Sequence, residues 1–317
     1  MSLTISDIIE AHNRISSKIK RTPVLTSSLL NSIVGANLFF KCENFQKIGA
    51  FKYRGATNTL LSLPEYKLAR GVATHSSGNH AQALALAARE KGVPAYIVMP
   101  SNSPKVKIDA VRGYGAEITF CEPNLEARES SLRKIVTDTG AEFIHPYNRD
   151  EIIAGQGTAA LELLTDYPEI DFVIAPVGGG GLISGTAICS KGLKKEIKVF
   201  AAEPLGANDA YRSFYSNGII PSENPKTICD GLLTSLGELN YDYIKQYVDD
   251  ILVVEDEEIL SAMRLIYERM KIVVEPSSAT VLAAAIKYKE LFANKNVGLI
   301  ISGGNVDLQS FFESYKL

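Results

Sequence analysis

The segment Phe172-Val-Ile-Ala-Pro-Val-Gly-Gly-Gly-Gly-Leu-Ile-Ser-Gly185 decides how this chain is read. An apolar run, Phe172–Pro176, ends in Gly178, Gly179, Gly180 and Gly181, and a helix-forming stretch follows. Strand, glycine turn and helix in that order mark a parallel sheet covered by helices. Glycine weakens both helix and strand, so four in a row imply that the backbone must come close to something. Consecutive N–H groups at a helix N-terminus make a cup for a phosphate. A flexible turn is the plainer alternative. No Lys-Ser/Thr follows, and there is no G-x-G-x-x-G with an acidic residue at the usual distance. Neither a Walker loop nor a dinucleotide site is implied.

The same alternation extends outward along the chain. Asn37–Lys41, Gly71–His75, Ala95–Met99, Glu117–Cys121, Lys198–Ala202, Ile251–Val254 and Val297–Ser302 also read as strands. Asn79–Lys91, Lys105–Tyr114 and Leu125–Thr139 read as helices. At the N-terminus an amphipathic helix is expected, capped by Thr4 or Ser6, with Ile5, Ile8, Ile9 and Ile15 on one face. The class is α/β. Gly71–Pro146 holds four strand–helix steps of its own. Residues 71–146 are therefore expected to form a small domain inserted into a larger one made of residues 1–70 and 147–317. Ligands of open α/β sheets bind beyond the carboxyl ends of the strands. SSGNHAQ, VGGGG, AAEP and SGGN all stand at such ends, which suggests one shared cleft.

Composition narrows the function classes. The 317 residues carry 33 basic and 36 acidic side chains, a net charge of −3, with no basic run. Nucleic acid and anionic membrane are excluded as partners on that ground. No apolar run reaches membrane-spanning length, and MSLTISDIIEAHNRI is no signal peptide, so a cytoplasmic protein is expected. Cys42, Cys121, Cys189 and Cys229 lack C-x-x-C spacing and read as buried free thiols.

Five constellations carry chemistry. The first is the glycine loop. The second is Lys52 in Gly49-Ala50-Phe51-Lys52-Tyr53-Arg54-Gly55. A desolvated lysine has a lowered pKa and serves as an amine nucleophile. A lysine amine together with a phosphate cup is what pyridoxal 5'-phosphate (PLP) requires. The third is Ser76-Ser77-Gly78-Asn79-His80, where Ser77 is a helix cap or a reacting hydroxyl. Asn79 offers an amide to a phenolic oxygen, and His80 reads as a core histidine. The fourth is Ser302-Gly303-Gly304-Asn305, a turn whose serine suits a ring nitrogen. The fifth is Glu203, Ala207 and Asp209, either a solvated acidic loop or oxygen ligands for Mg²⁺ or Ca²⁺.

Taken together, these residues resemble the fold-type II PLP enzymes, in the branch of serine racemases and serine/threonine dehydratases. The resemblance spans nearly the whole chain. It is carried by KCENFQKIGAFKYRGA (41–56), HSSGNHAQALA (75–85), AGQGT (154–158), PVGGGGLISG (176–185), AAEP (201–204) and SGGNVD (302–307), in the right order and spacing. It implies a tryptophan synthase β-like fold with two parallel or mixed sheets covered by helices, assembled as a homodimer. It implies that Lys52 holds PLP, Asn79 meets its phenolic oxygen, Gly178 to Gly181 cradle its phosphate and Ser302 faces the pyridine nitrogen. A serine there, unlike an aspartate, leaves that nitrogen without a proton. Ser77 matches the racemases and hydroxyaspartate dehydratases, where ordinary threonine dehydratases tend to carry alanine. In the racemases the lysine and this serine work on opposite faces of the α-carbon. Loss of the β-hydroxyl instead gives a 2-oxo acid and ammonia. The expected activity is a serine racemase with dehydratase (ammonia-lyase) action on serine, threonine or 3-hydroxyaspartate. The alternative is a dehydratase without racemisation. Ser76, Ser77, His80 and Arg128 would meet the substrate, although Arg128 also fits a plain charged helix face. Glu203, Ala207 and Asp209 match a divalent-cation site (Mg²⁺, Ca²⁺ or Mn²⁺), and Asn305 matches a nucleotide-site position, making ATP a candidate effector.

Overall fold

The computed structural model of the chain describes residues 2–103 and 105–315. Its strands are β1 (Val24–Leu25), β2 (Asn37–Cys42), β3 (Val72–His75), β4 (Ala95–Pro100), β5 (Glu117–Cys121), β6 (Glu142–Phe143), β7 (Phe172–Pro176), β8 (Lys198–Pro204), β9 (Asp250–Val254) and β10 (Asn296–Ile301). They form a six-stranded sheet, β1-β2-β10-β7-β8-β9, and a four-stranded sheet, β5-β4-β3-β6. Every pairing is parallel except that of β1 with β2. The expected α/β architecture with mixed and parallel sheets is what forms.

Both faces of the larger sheet are buried, which is why its strands read as unbroken apolar runs. Along β7, Ile174 joins one core layer while Val173 and Ala175 join the other. Along β10, Leu299 and Ile301 alternate with Ile300 in the same way. All eight expected strands form. β1 and β6, two residues each, are too short to show a period. The helices Asn79–Lys91 and Leu125–Thr139 keep their expected bounds, and Lys105–Gly113 ends one residue early. Three corrections follow. The N-terminal helix Ile5–Ile15 is capped by Thr4, which forms a capping box with Asp7, and it buries Ile8, Ala11 and Ile15 while Ile9 is exposed. The segment after β3 has three strand–helix steps, because β6 leads directly to the helix Asp150–Asp166. Cys121 is only half-buried, whereas the other three thiols are buried. Among the described residues no helix is long and apolar enough to cross a membrane.

Three helices set the frame of the site: Lys52–Ser62, Asp150–Asp166 and Gly181–Leu193. The middle one touches its neighbours backbone to backbone. A Cβ on Gly155 would lie 2.6 Å from Gly55 Cα, and one on Gly185 would lie 2.6 Å from Gly157 N. The AGQGT motif thus holds its glycines for helix contact. Beneath these helices Arg54 is wholly buried among charges. Its Nε and Nη2 donate to Glu43 (2.7 and 2.8 Å), and its Nη1 and Nη2 donate to Glu162 (2.8 and 2.9 Å). Lys41 Nζ donates to Glu162 (2.6 Å) and to the Thr22 carbonyl (2.7 Å).

Candidate active site

Lys52 opens its helix, and its Nζ donates to the Pro146 carbonyl at 2.8 Å. The amine stands 5.2 Å from the Phe51 ring centre and 5.9 Å from that of Tyr147. Burial lowers its pKa to about 8, against the opposing pull of Glu275. A useful share of neutral amine therefore exists near neutral pH.

The carbonyl that Lys52 meets belongs to a turn organised by His145. Its Nδ1 accepts from the N–H groups of Tyr147 (3.3 Å) and Asn148 (2.9 Å). Burial holds this imidazole neutral, with its pKa down at about 4. The Tyr147 ring lies against the glycine loop, where a Cβ on Gly179 would fall 2.4 Å from it. Asn240 Nδ2 ties the two together, donating to the carbonyls of Tyr147 (3.1 Å) and Gly179 (2.9 Å).

Gly178 to Gly181 are buried, and Gly180 adopts φ +96° as N-cap of the helix Gly181–Leu193. Among the described residues, nothing accepts a hydrogen bond from the N–H groups of these four glycines. Buried donors left unpaired are costly, and a helix N-terminus adds positive potential. Buried, unpaired and at a helix N-terminus, these N–H groups have the arrangement an anion would satisfy.

At the exit of β3, Ser76 Oγ accepts from Gly78 N at 3.3 Å. The following helix takes Gly78 as its N-cap, with no side-chain cap. Ser77 is therefore not the helix cap, and its hydroxyl is uncommitted among the described residues. Asn79 Nδ2 donates to both oxygens of Glu275 (3.0 and 3.1 Å), and its Oδ1 accepts from Asn305 Nδ2 at 2.9 Å. Asn305 N also donates to Glu275 Oε2 (3.2 Å). These bonds join the β3 exit to the β10 exit. Burial, aided by the charge of Asp230, raises Glu275 to about 7. His80 is buried with Nε2 3.2 Å from the Ile144 carbonyl and Nδ1 unpaired, and burial keeps it neutral. Ser302, also buried, has Oγ 2.9 Å from Ser278 Oγ.

Arg128 stands apart from this group. It lies on the helix Leu125–Thr139 near His75 and Cys121, and its Nε is buried without a partner. The exits of β3, β7 and β10 converge on Lys52. The β8 exit carries a separate pair of buried carboxylates. Glu203 accepts from the N–H groups of Ala210 (2.9 Å) and Tyr211 (2.8 Å), while Asp209 Oδ2 has no partner. Burial raises both, Asp209 to about 6. Among the described residues no three His, Cys, Asp or Glu side chains gather to hold a metal. The set here is two carboxylates and the backbone at Ala207.

Sequence reasoning missed Glu275, Ser278 and the His145–Asn148 turn. Each acts from an element without a glycine-rich signature. The Glu-Pro at 275–276, a helix start with Pro at N1, was the one available signal.

Comparison with known proteins places the chain in a family. The family model described as "Pyridoxal-phosphate dependent enzyme" matches residues 15–303. The chain is 52% identical to serine racemase of Dictyostelium discoideum over 314 residues, covering 98% of this chain and 97% of that one. It is 51% identical to beta-hydroxyaspartate dehydratase of Paracoccus denitrificans over 305 residues, covering 96% and 97%. The solved structure of maize serine racemase superposes with a TM-score of 0.96 at 45% identity, covering 100% of this chain and 98% of that one.

Proposed function

Because the chain belongs to the pyridoxal-phosphate-dependent enzymes of fold type II, we propose that it racemises serine and eliminates the β-hydroxyl of small hydroxy amino acids. Serine, threonine and 3-hydroxyaspartate are its substrate class, and elimination yields a 2-oxo acid and ammonia. The observation that carries the reading is the buried Lys52 amine, 5.9 Å from the Tyr147 ring that packs on the glycine loop, together with the four buried, unpaired N–H groups of Gly178 to Gly181. Those residues fit the cofactor: the glycine N–H groups would take its phosphate and the Lys52 amine would hold its carbonyl carbon. Once bound, PLP supplies the electron sink that makes the substrate α-proton removable.

Racemisation needs a base on one face of the α-carbon and an acid on the other. Lys52 fills one role, and Ser77, whose hydroxyl caps no helix, fills the second. Asn79, held by Glu275 and Asn305, would meet the cofactor's phenolic oxygen, and Ser302 would face its ring nitrogen. Ser76, His80 and Arg128 are assigned to the substrate carboxylate, the last because its buried Nε lacks a partner. The dehydratase relative supports a second reading, in which 3-hydroxyaspartate is eliminated and no enantiomer forms. Chiral chromatography with a 2-oxo acid assay on L-serine, L-threonine and 3-hydroxyaspartate decides between them. D-serine should appear beside pyruvate, and Ser77→Ala should lose D-serine by at least about 10²-fold while keeping elimination. Normal racemisation by Ser77→Ala sinks the two-face assignment.

Glu203, the Ala207 carbonyl and Asp209 are proposed to hold Mg²⁺, or Ca²⁺ or Mn²⁺. Two adjacent buried carboxylates, with Asp209 Oδ2 unpaired, support this. At 100 times its Kd, Mg²⁺ should stabilise the fold by about 2.7 kcal/mol, seen as a raised Tm. Asp209→Asn should abolish that rise, and equal Mg²⁺ responses in the two proteins would remove the site. The domain division at 70/71 and 146/147, homodimer assembly, cytoplasmic residence and an ATP effect at Asn305 complete the proposal on the family resemblance.

A further inference from the structure

Between the helix Leu125–Thr139 and the carboxyl ends of β3 and β6 lies a cavity of about 420 Å³. Small-molecule sites enclose roughly 300–1,000 Å³. Neither Lys52, Ser76, Ser77 nor Arg128 lines it, so it is not the cleft already described. One side is apolar: Leu132 and Val136 come from the helix and Phe143 from β6. The Phe143 ring stacks on that of His75, with centres 6.2 Å apart.

The other side includes His145, whose ring hydrogen has one possible place. Its Nδ1 is met by the backbone N–H groups of Tyr147 and Asn148, and an amide N–H can only donate. Nδ1 is therefore an acceptor, and the hydrogen is on Nε2. That N–H has no acceptor among the described residues, and unlike His80 Nδ1 it is not sealed into the core. Arg133 adds a cation to the wall. Its partner Glu129 lies 3.5 Å away with both side chains exposed, so the pair is weak and the guanidinium is free to turn to another anion. Arg128 acts on the same corner through His75, which leaves Glu129 facing two cations.

We propose that this cavity binds a small carboxylate with an apolar body, its charge on the His145 Nε2–H and the Arg133 guanidinium and its body against Leu132, Val136 and Phe143. The site is joined to the lysine by one ring. His145 holds the turn that begins at Pro146, and the Pro146 carbonyl accepts from Lys52 Nζ. Hydrogen bonds in series polarise one another, so an anion on Nε2–H makes Nδ1 a stronger acceptor and tightens that turn.

The test is ring ¹⁵N NMR of histidine-labelled holoenzyme titrated with phenylacetate. The chain has four histidines, so each can be followed. The His145 Nε2 signal should shift saturably while His12 stays in place. Benzyl alcohol, which lacks the carboxylate, should bind at least about tenfold more weakly, the scale of a lost charge-assisted hydrogen bond. Val136→Trp fills the cavity from the helix and should abolish the shift while turnover continues. Arg133→Gln, at an exposed position, keeps the fold and should weaken binding by about tenfold. A His145 signal that does not move overturns the proposal. A shift that persists in Val136→Trp also overturns it, because the probe then sits in the catalytic cleft. Equal binding of the alcohol, or of phenylacetate to Arg133→Gln, removes the anion site.

Discussion

Replacing Lys52 by alanine is expected to lower racemisation and elimination alike by about 10⁴-fold or more, the scale seen when a covalent nucleophile is removed. The amine is the nucleophile the other cleft groups do not replace. Glu275 and Asn79 are bonded to each other, and His80 and His145 face backbone groups. The fold should survive, since Lys52 stands at the first position of its helix and gives up one hydrogen bond to Pro146. Equal thermal melting with lost turnover is the expected pair of results. A Lys52→Ala protein that still makes D-serine or pyruvate would end the assignment. The pKa gives a second readout. Only the neutral amine attacks a carbonyl, and the lowered value makes that form appear through about pH 8, well below ordinary lysine. Borohydride trapping of PLP on cofactor-free protein should therefore rise across that pH and level off above it.

Arg54→Met is expected to cost stability on the order of 3–5 kcal/mol, the range for breaking a buried ion pair from one side. The change leaves Glu43 and Glu162, both essentially unexposed, with Lys41 as their remaining buried cation. A loss of that size would lower Tm by about 5–8 °C in a chain of 317 residues, or shift the urea midpoint with m unchanged. Arg54→Met combined with Glu43→Gln should recover part of the loss, because one buried carboxylate charge goes with the guanidinium and the Lys41–Glu162 pair is left intact. If Arg54→Met melts like wild type, the network does not carry the stability assigned to it.

The sequence was most legible where one residue type has few uses. The strands of the larger sheet showed as apolar runs because both of their faces are covered. Four glycines announced a backbone approach, and the structure shows both the approach and the unpaired N–H groups. Lys52 was legible only beside them. Ser77 was ambiguous until Gly78 proved to be the cap. Glu275 was invisible because a carboxylate before a proline is an ordinary helix start, and nothing local says that Asn79, 196 positions away, bonds it. Ser278 was hidden in the same way: its partners Ser302 and Gly303 arrive from another strand. The His145–Asn148 turn was missed because its role depends on carbonyl and ring direction, which one-letter patterns do not record.

The glycine contacts of the helix Asp150–Asp166 bear on how this catalyst can diversify. They work as a gauge block, since the spacing between amine and cup is cut in main chain, through Gly55–Gly155 on one side and Gly157–Gly185 on the other. Side-chain packing can drift through paired compensating changes, whereas a main-chain contact has nothing to trade. Elements outside these contacts, such as the β3 exit and the helix Leu125–Thr139, can vary while the spacing of the three helices stays put.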